Sequence, residues 1–300
     1  MSDRRPISFS LLRSATVGYV YLDTALVRLQ SRLRRSVAGL LSEALSVDEQ
    51  RDLLIGMYDR DRRKWVDQCT ELHAWELPWF DRRLPPAPSR VLVAGAGAGR
   101  EAAALVAAGY AVDCLEPAPY LAQRCGEVIG AAGDVVAATH EQFAHAVLER
   151  SGTALCPIAD RTYDAVLLGW GSFSHVLLPA DRARVLEAYG RCCPAGPLLA
   201  SFTLAPYGSE SATPRGFADL MGRSVGRGLR RLRRPGPGQP HEFFSSWMGF
   251  THRFSRDELE GLAVSAGRVL AWDAQLGEYP HATFLPGRQE KPTDGPDAGG

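Results

Sequence analysis

Short apolar runs alternate with alanine-rich helical stretches from residue 90 to residue 202, and this alternation constrains the fold more than any other feature of the sequence. Strands that alternate with helices form a parallel sheet with right-handed crossovers. Five strands are predicted, at Arg90–Ala94, Ala111–Glu116, Asp134–Ala138, Thr162–Leu168 and Leu198–Phe202. The predicted helices between them are Arg100–Ala108, Tyr120–Ile129, Glu141–Leu148 and Ala180–Arg191. The sequence therefore predicts a doubly wound α/β core.

Two further strands are predicted after this core, at Val269–Gln275 and His281–Leu285, and they are close enough in sequence to pair as an antiparallel hairpin. A helix at Arg256–Ala266 precedes them. Ser255 stands before its first turn and Glu258 three residues later, which is the pattern of a capping box. Together these elements predict a seven-stranded sheet with a terminal antiparallel hairpin.

The chain before the core is predicted to be helical. Leucines recur at helical spacing from Leu22 to Leu45, and a second helix is predicted from Ser46 towards Gln68. The proline-rich break at Leu84–Pro88 predicts a boundary, so residues 1–85 are expected to form an N-terminal helical lid.

Residues 86–286 are predicted to be the main domain, and within it residues 205–250 differ in composition from their surroundings. They are rich in glycine, proline and arginine and then in aromatic residues, which predicts an insertion. The last residues, 287–300, are almost devoid of apolar side chains, so we expect a disordered tail.

Charge and cysteine content limit the classes of function. The 34 basic and 34 acidic residues cancel, so no global basic field supports binding to nucleic acid or to a membrane. No apolar run approaches the ~20 residues of a membrane span. The six cysteines show no CxxC pairing, which favours a reduced, cytoplasmic protein without a disulfide framework or a metal site.

The segment RVLVAGAGAGREAAAL is the most informative motif. A buried strand ends at Ala94 and a helix begins near Arg100, with three alternate glycines between them. Such a turn brings the backbone close to a ligand. Glu116 ends the next strand, where a carboxylate can accept hydrogen bonds from ribose hydroxyls. The motif predicts a cofactor that contains a nucleoside; a dinucleotide fingerprint would need a small residue in place of Arg100.

From Arg90 to Leu285 the chain resembles the class I S-adenosylmethionine-dependent methyltransferases, in its GxGxG turn, its fifth strand LLASF and its terminal hairpin. The resemblance implies S-adenosylmethionine as the cofactor. It implies that the methionine part lies along Gly95, Ala96, Gly97 and Gly99, the ribose at Glu116 and Pro117, and the adenine beside Thr139 and His140. The loop after the fourth strand would lie near the sulfonium, with Gly169, Trp170, Ser172 and His175.

Two positions depart from the family pattern. Val93 stands where the family usually has an acidic residue near the end of the first strand, so the amino group of the methionine part must be held by another group. Thr139 stands where an aspartate commonly contacts the adenine amine, so that contact is in doubt.

The resemblance implies methyl transfer to an oxygen or nitrogen of a small-molecule acceptor, plausibly in secondary metabolism. His175 is the best candidate for a general base; the alternative is that it caps its loop or packs beside the cofactor. Weaker candidates are Tyr207, His241, His252 and Tyr279. The rival functions are a protein that binds the cofactor or its product without methylating, and a nicotinamide oxidoreductase, against which Arg100 counts.

Other features allow two interpretations each. Tyr58, Asp59, Trp75 and Glu76 either line the cofactor from the lid or belong to its core. The aromatic set in the insertion predicts an apolar or aromatic acceptor, or packing against the sheet: Phe243, Phe244, Trp247, Met248 and Phe250. The arginine-rich run from Arg223 to Arg234 fits an acidic partner, but such a run is more often solvated and mobile, which is the reading that we favour. The sequence does not indicate an oligomeric state.

Overall fold

The computed structural model describes residues 7–60, 71–149, 156–205, 216–233, 243–245 and 248–287. The chain divides into two compact units. The helical unit contains Met1–Gln50 and Glu210–Gly249, and the sheet unit contains Arg51–Ser209 and Phe250–Gly300.

Ten helices are assigned within the described residues. They are α1 Ile7–Ala44, α2 Val47–Arg60, α3 Glu76–Arg83, α4 Arg100–Ala107, α5 Pro119–Ile129, α6 His140–Glu149, α7 Cys156–Ala159, α8 Pro179–Cys192, α9 Phe217–Arg233 and α10 Arg256–Ser265. The strands are β1 Arg90–Ala94, β2 Ala111–Leu115, β3 Val135–Val136, β4 Ala165–Leu168, β5 Leu198–Ser201, β6 Phe243–Ser245, β7 Gly249–Thr251, β8 Arg268–Trp272 and β9 His281–Pro286. None of the helices in this part of the chain is long and apolar enough to cross a membrane.

The main sheet has seven strands in the order β3-β2-β1-β4-β5-β9-β8. The first five strands in this order are parallel to one another, and β9 is antiparallel to both β5 and β8. The predicted α/β fold with a terminal antiparallel hairpin is confirmed. Because β1 lies between β2 and β4, the chain reverses its direction of winding at β1 and β4, and ligands of such sheets bind at the carboxyl ends of these strands.

Most elements lie within a few residues of their predicted limits, and β3 differs most. The predicted strand Asp134–Ala138 pairs only over Val135–Val136, at the edge of the sheet. The carbonyl oxygen of Asp134 still accepts from the amide of Cys114 in β2 at 2.8 Å, while its own amide donates to the buried Asp113 at 2.9 Å and its carboxylate binds Arg161 at 2.6 Å. The strand is shorter than predicted chiefly because it ends at Val136 and leaves out Ala137 and Ala138.

Helix α3 is fastened to the hairpin by a buried carboxylate. Asp273 accepts hydrogen bonds from Trp79 Nε1 at 3.1 Å, Arg83 Nε at 2.8 Å and Thr283 Oγ1 at 2.6 Å. This attachment places Glu76–Arg83 in the sheet unit, although it precedes the proline break. The division between compact units therefore falls at residue 50, whereas the sequence predicts a boundary at residue 85.

In the helical unit, α1 packs along α9, and glycines allow the close approach. A Cβ at Gly226 would lie 2.5 Å from the carbonyl oxygen of Leu40, and one at Gly222 would overlap the carbonyl of Ser36. Arg223 binds Glu43 at 3.3 Å and Asp219 at 3.1 Å. Up to Arg233 the arginine-rich run forms a helix whose glycine face packs against α1, whereas Arg227 and Arg231 are exposed to solvent.

Several predictions fall outside the described residues. They concern the second helix beyond Arg60, Cys69, Tyr207, Arg234, His241, Trp247 and the tail from residue 288.

Replacing Asp273 by asparagine should lower the free energy of unfolding by about 2–4 kcal/mol, because a buried network loses its charge. Thermal denaturation measures this, and Asp81→Asn, an exposed change on the same helix α3, is the matched control. Equal melting temperatures for the two variants would contradict the assigned role of Asp273.

Candidate functional site

The glycine turn between β1 and α4 is held against the end of β2. The amides of Gly95 and Ala96 both donate to the carbonyl oxygen of Leu115, at 2.8 and 2.9 Å. Gly95, Gly97 and Gly99 have φ angles of 74°, 56° and 94°, which are strained for any residue with a Cβ. The alternate glycines therefore follow from the backbone path that the turn takes.

The glycines differ in what surrounds them. A Cβ at Gly95 would overlap Ser172, and one at Gly169 would lie 2.5 Å from the carbonyl oxygen of Gly95. The ends of β1 and β4 are thus pressed together, and the hydroxyl of Ser172 donates to the carbonyl of Ala94 at 3.0 Å. A Cβ at Gly97 would meet nothing within 4 Å, so this side of the turn is open.

Glu116 lies at the end of β2 and faces the turn. Its Oε2 accepts from the amide of Gly97 at 2.8 Å, and its Oε1 accepts from the amide of Ala118 at 2.9 Å. Burial raises the pKa of Glu116 to about 7, against the effect of these two donors. Each oxygen keeps a lone pair for a further donor. Pro117 follows it, half-buried, before α5 begins.

A buried ion network joins the glycine turn to the first residue of α3, and the sequence analysis missed it. Arg100 donates to both oxygens of Glu76, with Nη2 2.8 Å from Oε1, and to Oε1 of Glu101 at 2.7 Å. The same Glu101 oxygen accepts from the amide of Trp170 at 3.1 Å. Burial raises the pKa of Glu101. Two carboxylates thus face one guanidinium beside the turn.

Tyr58 and His175 form a hydrogen-bonded pair. His175 Nδ1 lies 2.9 Å from the carbonyl oxygen of Phe250, so this nitrogen carries the proton. Its Nε2 is then the acceptor, and it lies 3.1 Å from the Tyr58 hydroxyl, which donates. Burial lowers the pKa of His175 and raises that of Tyr58, which also experiences the charge of Glu116. The neutral forms of both groups are therefore favoured.

The part of α2 that carries Tyr58 is attached to the sheet unit at two further points. Asp59 accepts from the amide of Tyr120 at 2.8 Å, at the start of α5. Arg51 binds Glu141 at 3.0 Å and lies 3.7 Å from Asp181. These contacts hold residues 51–60 over the carboxyl ends of the strands, close to Glu116.

The residues after β3 are engaged in supporting structure. Thr139 and Gln142 bond reciprocally, amide to side chain, and cap α6. His140 Nδ1 lies 2.7 Å from the Tyr189 hydroxyl, and its ring also bonds the backbone of Ser172. Burial lowers the pKa of His140 to about 4. An adenine contact from Thr139 or His140 remains a prediction, and it would have to use polar atoms that these hydrogen bonds do not occupy.

Aromatic rings from three segments meet beside Trp170. No spacing pattern in the sequence predicts this cluster, because its members are far apart in the chain. Ring centroids are 4.8 Å apart for His73 and Trp170, 5.8 Å for Trp170 and Tyr279, and 6.0 Å for Tyr279 and Trp75. Within the described residues, His73 Nε2 and Trp170 Nε1 are buried without a hydrogen-bond partner. Buried polar atoms of this kind are uncommon and mark places where a ligand can bond.

The remaining candidates have structural partners. His252 Nε2 lies 2.8 Å from Glu258. Phe250 is fully buried, whereas Phe244 and Met248 are partly exposed. Across the residues that the structure describes, no group of three or more His, Cys, Asp or Glu side chains is placed to hold a metal ion.

Comparison with known proteins places the fold. No family model matches the sequence, and no curated protein matches it significantly. Among solved structures, the chain is similar to an S-adenosylmethionine-dependent methyltransferase from Leishmania major, with 15% identity, 80% of this chain and 84% of that chain covered, and a TM-score of 0.51. The chain has the class I methyltransferase fold. The sequence analysis expected the seven-stranded sheet with its terminal antiparallel hairpin, and the structure adds the strand order, in which β9 lies between β5 and β8.

Two other similar structures have lower scores. One is the sugar N-methyltransferase KedS8 from Streptoalloteichus, with 17% identity, 71% of this chain and 87% of that chain covered, and a TM-score of 0.47. The other is the 1,6-didemethyltoxoflavin-N1-methyltransferase from Burkholderia thailandensis, with 19% identity, coverage of 79% and 87%, and a TM-score of 0.46. Scores below 0.5 add nothing to the fold assignment.

Alanine substitutions at Gly95 and Gly97 should separate steric contact from backbone strain. Both glycines have positive φ, so each substitution costs about 1–2 kcal/mol of stability. Gly95→Ala should cost about 1–3 kcal/mol more, because its Cβ overlaps Ser172 whereas that of Gly97→Ala meets open space. Chemical denaturation measures the difference, and a Gly97→Ala variant as unstable as Gly95→Ala would contradict the assigned geometry.

Proposed function

We propose that this protein transfers a methyl group from S-adenosylmethionine to an oxygen or nitrogen of a small-molecule acceptor. The observation that carries the proposal is the arrangement of Glu116 opposite the open side of Gly97, at the carboxyl ends of β2 and β1. A buried carboxylate held by two backbone amides is a rigid acceptor for a pair of hydroxyls. In this fold it supports binding of a ribose.

The residues around the turn fit the other parts of the cofactor. Gly95 to Gly99 let the backbone approach the methionine part, and Glu116 with Pro117 borders the ribose. Val93 supplies no carboxylate. The two carboxyl groups of Glu76 and Glu101 face the single guanidinium of Arg100, and we assign to this pair the negative charge that the amino group of the methionine part requires. When bound, S-adenosylmethionine supplies an activated methyl group, so the protein must align the acceptor and, where necessary, take its proton.

We assign the proton acceptor to Nε2 of His175, acting through Tyr58. The hydroxyl of Tyr58 already donates to this nitrogen, so a direct contact between His175 and the acceptor would require Tyr58 to move. An acceptor hydroxyl that donates to Tyr58 Oη can pass its proton to this oxygen while the tyrosine proton passes to His175. The tautomer fixed by the carbonyl of Phe250 keeps Nε2 ready for this step.

The aromatic cluster favours a planar aromatic acceptor. Trp75, Trp170 and Tyr279 present ring faces and edges, which stack well on other aromatic rings. The indole N–H of Trp170 and the Nε2 of His73 would gain hydrogen bonds to polar substituents on such a ring. The cluster replaces the aromatic residues of the insertion as the main support for an aromatic acceptor.

A protein that binds the cofactor or its product without methylating is the second candidate. The observation in its favour is that Nε2 of His175 is occupied by Tyr58 and Nδ1 of His140 lies 2.7 Å from the Tyr189 hydroxyl. Methyl transfer to any acceptor decides between the two functions.

The affinity for S-adenosylhomocysteine should depend on pH through Glu116. Ribose hydroxyls donate to the ionised carboxylate, whose pKa in the free protein is about 7. The affinity should therefore rise with pH and level off above 7, and it should be about tenfold weaker at pH 6 than at pH 8. Isothermal titration calorimetry across this range tests the idea.

Glu116→Gln is the control for this titration. It keeps the shape of the side chain but cannot ionise, so its affinity should be lower and independent of pH. No binding by the native protein at any pH, with binding of a dinucleotide instead, would refute the assignment of the cofactor. An unchanged pH dependence in Glu116→Gln would refute the assignment of the titrating group.

Removing either member of the relay should slow methyl transfer at saturating cofactor. Tyr58→Phe and His175→Ala should each lower kcat about 10²-fold, and the double variant should be no slower than either single one, since both act in one step. The assay is methyl transfer to a panel of phenols, aromatic amines and carboxylic acids, and His145→Ala, an exposed histidine on α6, is the control.

A normal rate for Tyr58→Phe with a slow His175→Ala would exclude the relay and leave direct action of His175. Normal rates for both would exclude the base assignment. If cofactor binding persists and no acceptor in the panel is methylated, the non-methylating function is favoured.

A further inference from the structure

The helical unit concentrates positive charge that the composition of the whole chain conceals. Helices α1 and α9 together contain ten arginines and three acidic residues, whereas the full chain has a net charge of zero. Arg223 and Arg227 lie near Glu43, so part of this charge is neutralised within the unit. A surplus of seven positive charges remains over the two helices.

The two helices run in the same direction. Gly222 lies against Ser36, and Gly226, four residues later, lies against Leu40, also four residues later. Contacts that advance together along both chains occur only between parallel helices. Each residue turns an α-helix by about 100°, so the direction of every side chain relative to this contact line follows from its number.

Each helix also has an apolar stripe that lies away from the contact line. On α1 the stripe covers an arc of about 80°, and on α9 an arc of about 120°. The exposed fractions of these side chains range from 41% to 83%. The members are Leu22, Leu26, Leu29, Leu33 and Val37 on α1, and Phe217, Met221, Val225, Leu229 and Leu232 on α9.

Both stripes face the same side of the helix pair. On each helix we measure angles around the helix axis, starting from the side that touches the other helix. The centre of the α1 stripe lies about 70° from that side, in the direction in which successive residues turn. The centre of the α9 stripe lies about 130° from that side, in the opposite direction. For parallel helices side by side, opposite rotations from the contact line lead to one common face. The same reasoning places Arg28 and Arg35 of α1, and Arg227 and Arg231 of α9, on the other face.

We propose that the apolar face of α1 and α9 binds the surface of an anionic lipid bilayer. A helix with a wide apolar face and an arginine-rich polar face lies in the plane of the membrane interface, with its apolar side chains at the acyl boundary. The helix is about 10 Å across, which is close to the Debye length of about 8 Å at physiological ionic strength, so the arginines still interact with the headgroup charge.

Charge distinguishes the three candidate partners of the apolar face, which are a second copy of the chain, a nucleic acid and an anionic bilayer. A second copy of the chain would cover the apolar residues but would bring together two units that each carry the surplus positive charge. A nucleic acid would neutralise the arginines but would leave the apolar face uncovered. An anionic bilayer matches both faces. The zero net charge of the whole chain predicts no membrane partner, and the local surplus revises that expectation for the helical unit.

The test is co-sedimentation of the full chain with large vesicles of phosphatidylglycerol mixed with phosphatidylcholine, compared with vesicles of phosphatidylcholine alone. Binding should be strong to the mixed vesicles, weak to the neutral ones, and reduced in 1 M salt, where the Debye length is about 3 Å.

Two double variants address the two faces. Arg227→Gln with Arg231→Gln, two exposed arginines of the polar face, should weaken binding to the mixed vesicles by about two- to threefold in all, because they lie slightly more than a Debye length from the headgroups. Phe217→Ser with Leu232→Ser should weaken it by about tenfold or more. Both pairs are on α9, and the serine pair replaces side chains that are 78% and 83% exposed, so the fold should tolerate the changes.

Matched controls make the same chemical changes in the sheet unit. Arg184→Gln with Arg191→Gln removes two exposed arginines from α8, and Val264→Ser with Leu276→Ser removes two exposed apolar side chains. These controls should bind vesicles as the native chain does. If they lose binding equally, or if neutral vesicles bind as well as anionic ones, the proposal is wrong.

Self-association is the other outcome that would overturn it. A dimer in sedimentation equilibrium that dissociates in the Phe217→Ser, Leu232→Ser variant, together with no binding to mixed vesicles, would assign the face to a second copy. Binding of S-adenosylhomocysteine is measured in the same samples and is independent of this result.

Discussion

The close approach of β1 and β4 at their carboxyl ends determines the rest of the site. Gly95 and Gly169 permit it, because a side chain at either position would collide with the neighbouring strand end. The approach fixes the glycine turn, and the turn presents the amide of Gly97 to Glu116. Burial of this carboxylate then raises its pKa to about 7. The steric constraint between two strands thus sets the environment, and through it the pKa, of Glu116.

The sequence predicted the fold well because its signals are local. Period, length and the glycine turn identified the seven strands of the main sheet, whereas β6 and β7 lie in the segment that was predicted only as an insertion. The position of Glu116 followed from strand ends alone. The length of β3 was overestimated because it lies at the edge of the sheet and ends at Val136, and apolar residues continue beyond that point as Ala137 and Ala138. The helix at Phe217–Arg233 was missed because a segment rich in glycine and arginine is typical of a solvated loop. The helix can be recognised only when the partner helix that packs against its glycine face is known.

The site was predicted less completely, since its chemistry depends on pairs that are distant in the chain. Arg100 was interpreted only as evidence against a dinucleotide, whereas it binds Glu76 and Glu101 in a buried network. His175 was identified as a candidate base, but its partner Tyr58 lies 117 residues away and has no sequence relation to it. Residue spacing can predict a strand and the loop that follows it. Side-chain contacts between distant segments can be identified only when the fold is known.

The tautomer of His175 depends on a backbone carbonyl, that of Phe250, and this has an evolutionary consequence. A main-chain oxygen occupies the same place whatever side chain is attached to it. Substitutions in the segment around Phe250 can therefore change the neighbouring side chains without changing which imidazole nitrogen carries the proton. Under the proposed function, selectivity for the acceptor and proton transfer then depend on different atoms of one segment, and a lineage can change the first by single substitutions while keeping the second.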